Sequence, residues 1–284
     1  MTLSQHKAHE QSATPAGHPL SRRLRHEGRL LLVATQFLTR LPVPRLADYQ
    51  PDWLHQSSRH FPAVGLLIGL LCAGVFWLAS LLFGPLVAAV ASTAFGIKLT
   101  GAFHEDGLAD TCDGLGGGLT KERALTIMKD SRLGTFGTLG LVMALLLKVS
   151  LLATMPLSLA LAALVVGHSG SRLMCISLLA LLPYGGDFEH AKAKPMAQQL
   201  TPMQGLMGAG WVLLSLLLVW LWLPMADVEL PLWHWLLPLG MALVATDYMR
   251  RLMKRRLGGY TGDGLGATQQ LSEIAIYAGL AALL

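Results

Sequence analysis

The stretch His104-Glu105-Asp106-Gly107-Leu108-Ala109-Asp110-Thr111-Cys112-Asp113 gathers four carboxylates and an imidazole within ten positions. If the segment is helical, Asp106, Asp110 and Asp113 stand at i, i+4 and i+7 and share one narrow face. Three anions that close raise one another's pKa unless a cation lies among them. Oxygen-only ligands predict a hard ion such as Mg²⁺, which keeps several waters and bridges to substrate phosphates. The plainer alternative is a solvated acidic helix end. Against it, no lysine stands at helical spacing to neutralise the cluster, and the chain has only 17 acidic residues in all.

Two further stretches suit phosphate chemistry. After Gly116-Gly117-Gly118 comes Lys129-Asp130-Ser131-Arg132-Leu133-Gly134-Thr135-Phe136-Gly137, a glycine-bearing turn that carries Lys and Arg and opens a helix. Free N–H groups and the helix dipole there favour an anion, and Arg132 offers a fork for phosphate oxygens. Leu257 to Gly266 is a second glycine-rich turn, with one acid, Asp263, and with Gly262 at the start of the last helix. It reads either as a flexible turn with a capping Asp, or as the piece that completes a metal shell or nucleotide pocket. Lys98, Lys148 and Arg172 fall inside apolar stretches, where a charge is costly and faces a polar interior. Lys98 and Arg172 can snorkel or pair, whereas Lys148 sits mid-span and is the better candidate to contact substrate. His168 and His190 read as packing or loop residues.

The elements that must position these residues are membrane helices. Of 284 residues, 53% are apolar and only 14% charged, against about 25% charged in an ordinary soluble domain, and the mean hydropathy is +0.50. This excludes a secreted disulfide scaffold, a disordered chain and a typical soluble globule. The fold class expected is an all-α polytopic membrane protein, a bundle of six or seven transmembrane helices. Candidate spans lie at Phe61–Phe83, Pro85–Phe103, Gly134–Met155, Leu157–Leu182, Gly205–Leu223 and Leu232–Arg250, with a weaker seventh at Leu265–Leu284 broken by Gln269, Gln270 and Glu273. Residues 1–27 read as a disordered basic tail without the apolar core of a signal peptide, and 28–284 as one transmembrane domain. Gly28 to Thr39 is too short to span and is expected at the interface.

Lys and Arg concentrate before the first span, in Phe103–Gly134, in Pro183–Gln204 (Lys192, Lys194) and in Arg250–Gly264, while the intervening connections carry none. By the positive-inside rule those basic segments face the cytoplasm. The net charge of +5 therefore records orientation, and no nucleic-acid partner is expected. Cys72, Cys112 and Cys175 show no pairing pattern. Gly65-x-x-x-Gly69 and the Gly134, Gly137, Gly140 series are expected to let helices approach closely.

No Walker A, HExxH or GxSxG pattern is present. The stretches Phe37-Leu38-Thr39-Arg40-Leu41-Pro42-Val43-Pro44, Phe61-Pro62 with Gly65, His104 through Gly114, Met128 through Thr135, and Gly258 through Ala267 together resemble the cobalamin synthases, the adenosylcobinamide-GDP ribazoletransferase family, from about residue 30 to the end. Glu105 stands where that family's pattern has an apolar residue. The resemblance implies a Mg²⁺-dependent inner-membrane enzyme. Such an enzyme joins adenosylcobinamide-GDP to α-ribazole, or its 5′-phosphate, and releases GMP.

On that reading Asp106, Asp110, Asp113 and Asp263 are the metal ligands. Asp113 or Asp130 is the base for the ribazole 3′-hydroxyl, with His104 as the alternative. Lys129, Arg132, Lys148 and Gly262 contact substrate phosphates. The partners implied are the two small substrates, the lipid bilayer, a second copy of the chain and other enzymes of the pathway docking on the cytoplasmic face. Two other readings compete. A CDP-alcohol-type phosphotransferase would carry Arg where Asp110 follows Asp106-Gly107-Leu108-Ala109. An ion-coupled transporter using Lys148 and Arg172 would show acids at mid-membrane and paired broken helices in two halves.

Overall fold

In the computed structural model, residues 19–46, 48–186, 200–222 and 231–284 are described. Eleven α-helices run through them: α1 (Pro19–Leu38), α2 (Asp52–Ser57), α3 (Phe61–Ser80), α4 (Pro85–Thr100), α5 (Phe103–Gly117), α6 (Lys121–Met128), α7 (Thr135–Thr154), α8 (Leu157–Leu181), α9 (Pro202–Trp222), α10 (Leu236–Leu257) and α11 (Gly262–Ala281). The extended pairing found among these residues is a single bridge between Tyr184 and Tyr260. The protein is an all-α polytopic membrane protein.

Four helices are long and apolar enough to cross a bilayer: Asp52–Ser80, which joins α2 to α3 through a 3-10 turn, then α7, α8 and α9. The six or seven spans expected from the sequence are thus matched by four on length and composition among the described residues. α10 carries Asp247, Arg250 and Arg251 within its length, and α11 carries Gln269, Gln270 and Glu273, so neither is apolar enough to span by composition. α4 and α5 would make a fifth span only as one unit, and they meet at 89°. At that right angle the pair is a broken span or a re-entrant loop.

Apolar side chains cover the outside of the bundle. Leu139, Leu146 and Leu147 of α7, Leu213 and Leu217 of α9 and Val244 of α10 are exposed, far more apolar surface than a soluble monomer leaves in water. The central helix is α8, buried over most of its length. It packs closest on α3, and glycine sets the approach. A Cβ on Gly65 would collide with the His168 carbonyl oxygen, and one on Gly69 would lie 2.7 Å from the Leu164 oxygen. The expectation for Gly65 and Gly69 holds, because only a hydrogen at those positions lets the two backbones meet.

α1 starts at Pro19, inside the stretch expected to be a tail. Glu27 ties it down, accepting from Arg59 (3.1 Å) and meeting His60 Nε2 (2.9 Å). Residues 1–18 lie outside the described residues, as do His190, Lys192 and Lys194. The three cysteines are free, as their spacing implied.

Candidate functional site

The acidic helix owes its direction to an elbow. Gly101 (φ 70°) and Ala102 (φ 61°) are consecutive left-handed residues, which stop α4 and start α5 at a right angle to it. Gly101 is needed twice, for its backbone conformation and because a Cβ there would strike the Arg40 guanidinium. The elbow is held by backbone bonds from Ala102 N–H to Ile97 (2.8 Å) and from Arg40 N–H to Leu99 (2.8 Å).

α5 then lies against the start of α11. A Cβ on Gly107 would sit 2.9 Å from the Asp263 carbonyl oxygen, and one on Gly266 3.3 Å from the Gly107 Cα. Two glycines thus bring Asp106 and Asp110 up against Asp263. Thr261 caps α11, its hydroxyl accepting from Gly264 N–H at 3.1 Å, and Gly262 is exposed at the first position of the helix, where N–H groups have no partner within the helix. The turn itself is pinned to the segment after α8. Gly185 N–H donates to Tyr260 (2.7 Å) and Tyr260 N–H to Pro183 (2.9 Å).

The carboxylates feel one another. Burial, then Asp263, Asp106 and Asp113, push Asp110 up to about 7. Burial and Asp106 push Asp263 up to about 6. Among the described residues no three His, Cys, Asp or Glu side chains converge closely enough to enclose a metal alone. The donor set is nonetheless all oxygen and anionic, and it crowds more negative charge than it can hold fully ionised. That fits Mg²⁺, which takes one or two carboxylates and completes its shell with water and substrate phosphates.

Asp113 does not join this group as a free ligand. Its two oxygens accept from Gly134 N–H (2.7 Å) and Gly137 N–H (2.8 Å), fixing the N-terminus of α7. Gly134 and Gly137 are glycines because a Cβ on either would strike the Asp113 carboxylate, a more specific role than helix packing. Asp130 and Arg132 form their own pair on the exposed connection from α6 to α7, with Nη2 2.6 Å from Oδ2. The bonds from Arg132 hold Asp130 down at about 2, the wrong direction for a base. Lys129 is exposed on the same connection. The glycine run Gly116 to Gly118 ends α5, and the Gly118 carbonyl accepts from Arg256 of α10.

Lys148 is turned away from the acids and closed into a second polar centre. Its ammonium lies 2.9 Å from Glu273 and donates to Gln270 at 3.0 Å. Glu273 also accepts from Tyr277 (2.9 Å) and Gln269 (2.6 Å) and stands 3.3 Å from His168 Nδ1. Gln270 donates to Glu105 (3.0 Å), and Arg172 donates to the His168 carbonyl (2.8 Å). Lys98, by contrast, is exposed. This network encloses a cavity of about 20 Å³, room for about one water. Sequence reasoning saw Gln269, Gln270 and Glu273 only as a flaw in a span. The signal was there in their pairing with Lys148 and Arg172, the cations buried mid-helix among the described residues.

His104 is buried between the two centres. Burial, then the Arg172 charge, hold its imidazole well below the ordinary histidine range, so the ring is neutral. It borders a larger cavity of about 290 Å³, whose wall includes Asp106, Asp263, Phe37, Phe61, Phe103 and Tyr260.

The family of cobalamin-5-phosphate synthases matches residues 30–281. The chain belongs to that family. An adenosylcobinamide-GDP ribazoletransferase of Leptothrix cholodnii is 50% identical over 89% of this chain and 95% of its own length. Proteins with the same name from a Polaromonas species and from Vibrio cholerae are 45% and 41% identical, over 89% and 92% of this chain and 96% of their own lengths. No solved structure matches the chain. Family membership covers every element of both polar centres, from the end of α1 to the last residue of α11.

Proposed function

We propose that this chain joins adenosylcobinamide-GDP to α-ribazole, or its 5′-phosphate, giving adenosylcobalamin, or its phosphate, and GMP. The observation that carries the reading is the approach of Asp106 and Asp110 of α5 to Asp263 of α11 beside an aromatic-lined cavity, in a chain of the cobalamin-5-phosphate synthase family. In the reaction the ribazole 3′ oxygen bonds to the phosphorus on the cobinamide side of the diphosphate. The bond from that phosphorus to the bridging oxygen breaks, and GMP leaves with the electron pair.

Asp106, Asp110 and Asp263 would hold Mg²⁺, which when bound neutralises charge on the diphosphate and on the departing GMP. The first turn of α11 at Gly262 offers N–H groups to a phosphate oxygen. Lys129 and Arg132 offset further phosphate charge, Arg132 exchanging Asp130 for the substrate. His104, on the cavity wall beside Asp106, is placed to take the proton of the attacking hydroxyl, whereas Asp113 is committed to α7 and Asp130 to Arg132. The transport reading loses its support because Lys148 and Arg172 are closed onto Glu273 and His168.

The site is assigned to the cytoplasmic face of the inner membrane. Supporting this, Arg256 at the basic end of α10 bonds the Gly118 carbonyl after α5, so two of the basic segments lie at one end of the bundle, as the positive-inside rule requires. The test is GMP release by the purified protein in liposomes, with adenosylcobinamide-GDP and α-ribazole, with and without Mg²⁺. Release that needs both substrates and the ion is expected. No GMP with all three present would end the reading.

A further inference from the structure

We infer that Gln270 is a positioning residue: through Glu105 it fixes the register of α5 against α11, and so how Asp106 and Asp110 stand to Asp263. This rests on the metal-site reading above. Gly107 lies against Asp263, and Gly266 against Gly107. That contact lets the two helices touch but offers no side chain to resist sliding. Metal–ligand distances hold to within about 0.2 Å, so a directional bond must set the register.

The Gln270 amide supplies that bond. Its carbonyl accepts from the Lys148 ammonium at 3.0 Å, and its NH₂ donates to Glu105 at 3.0 Å and to the Gln269 side-chain carbonyl at 2.9 Å. The oxygen and both hydrogens are thereby used. The orientation is forced, since an ammonium can only donate and a carboxylate can only accept. Lys148 is itself held by Glu273 at 2.9 Å. Gln270 is 3% exposed and Glu105 7%, so water does not compete for these bonds. Glu105 Oε2 is buried without a hydrogen-bond partner among the described residues, which leaves Gln270 as the hold on that carboxylate.

The bond bears on both sides of the acid site. Glu105 immediately precedes Asp106, and Gln270 stands at i+7 from Asp263, two turns along the same face of α11. At its other end α5 is tied to α7 by Asp113, which accepts from Gly134 and Gly137. A helix tied at one end can pivot. Tied at both, it holds Asp106 and Asp110, which lie between the ties. The inner tie is also balanced in charge: Lys148, Arg172, Glu105 and Glu273 line one small cavity, two cations with two carboxylates.

The test exchanges donor and acceptor. Half-saturation by Mg²⁺ is measured in two ways, by GMP release in liposomes and by the rise in melting temperature in detergent. The proteins compared are the wild type, Gln270→Met, Gln270→Glu, and the double variant Gln270→Glu with Glu105→Gln. Gln270→Met removes the bond and should raise half-saturation about tenfold in both readouts, the low end for a residue that orients a metal ligand. Gln270→Glu sets carboxylate against carboxylate and should do at least as much. The double variant keeps the charge count and restores the bond in reverse, the new amide donating to the new carboxylate. It should come within about threefold of wild type, the remainder being the donor that Gln269 loses. A Gln270→Met protein that melts lower but half-saturates like the wild type would make the bond merely structural and overturn the inference. So would a double variant no better than Gln270→Glu or, should that single variant not fold, no better than Gln270→Met. A wild-type protein that answers to Mg²⁺ in neither readout gives a different signature, and removes the metal reading and this inference with it.

Discussion

Lys148 of α7 and Glu273 of α11 meet 2.9 Å apart in the interior of the bundle, their side chains 6% and 1% exposed. Each is a cost without the other. Glu273→Gln should destabilise the protein by about 3–5 kcal/mol, because it strands a buried ammonium. Lys148→Met with Glu273→Met should recover much of that loss. Thermal unfolding in detergent, comparing single and double variants, measures the coupling, and additive losses would show that the pair is not the interaction at stake.

Asp113 is expected to behave as an anchor for α7. Asn in its place keeps the shape but presents an NH₂ where an oxygen accepts from Gly134 or Gly137. Asp113→Asn should therefore lose about 1–3 kcal/mol of stability, and Gly137→Ala should mimic it by pushing the carboxylate away. Hydrogen exchange of the α7 N-terminus should quicken in both. Full stability with lost activity would instead return Asp113 to the catalytic group.

Metal and protons should compete at the acid site. Asp110 and Asp263, with pKa values raised to about 7 and about 6, lie above the carboxylate range of an unfolded chain. Raised pKa values favour the metal-free fold at low pH, and that contribution is lost as pH rises through 6 and then 7. The melting temperature of chelator-treated protein should fall across that window. Mg²⁺ should restore it most at the alkaline end, because its ligands must be deprotonated. A melting temperature indifferent to Mg²⁺ at either end would contradict the assignment.

Asp106→Asn should abolish GMP release while the protein stays folded in the membrane. Asp106 is exposed, so its removal costs little packing, and melting near the wild-type temperature with no turnover is the expected pair of results. Near-normal turnover at ordinary Mg²⁺ would take Asp106 out of the ligand set.

Arg132→Ala should raise the KM for the nucleotide donor without changing thermal stability, since its guanidinium is 86% exposed and pairs with Asp130. Surface pairs of this kind contribute ~0–1 kcal/mol. A loss of stability in place of a KM effect would show that the pair holds the α6–α7 connection rather than substrate.

The sequence made the class and the acidic face legible, because charge scarcity and i, i+4 spacing are local properties. Asp106 and Asp110 could be placed on one helix face by counting. Their third partner, Asp263, lies 153 positions beyond Asp110 in the chain, and only the glycine contact between Gly107 and Gly266 brings it near. Asp113 misled for the opposite reason. Its spacing fits the ligand set, but its partners are backbone N–H groups, which carry no residue signature. Hydropathy and burial diverge at α11, which is sheathed by protein and can carry Gln269, Gln270 and Glu273 without meeting lipid. Lys148 was correctly singled out as unusual, but its partners, Gln270 and Glu273, lie more than 120 positions further along the chain.

That ordering has a consequence for biogenesis. α11 leaves the ribosome after the helices that carry Lys148 and Arg172, and its polar residues make it a poor candidate for insertion on its own account. By then Lys148 and Arg172 are already embedded and awaiting Glu273. The helix is thus held in the bundle by buried countercharges more than by its own oiliness.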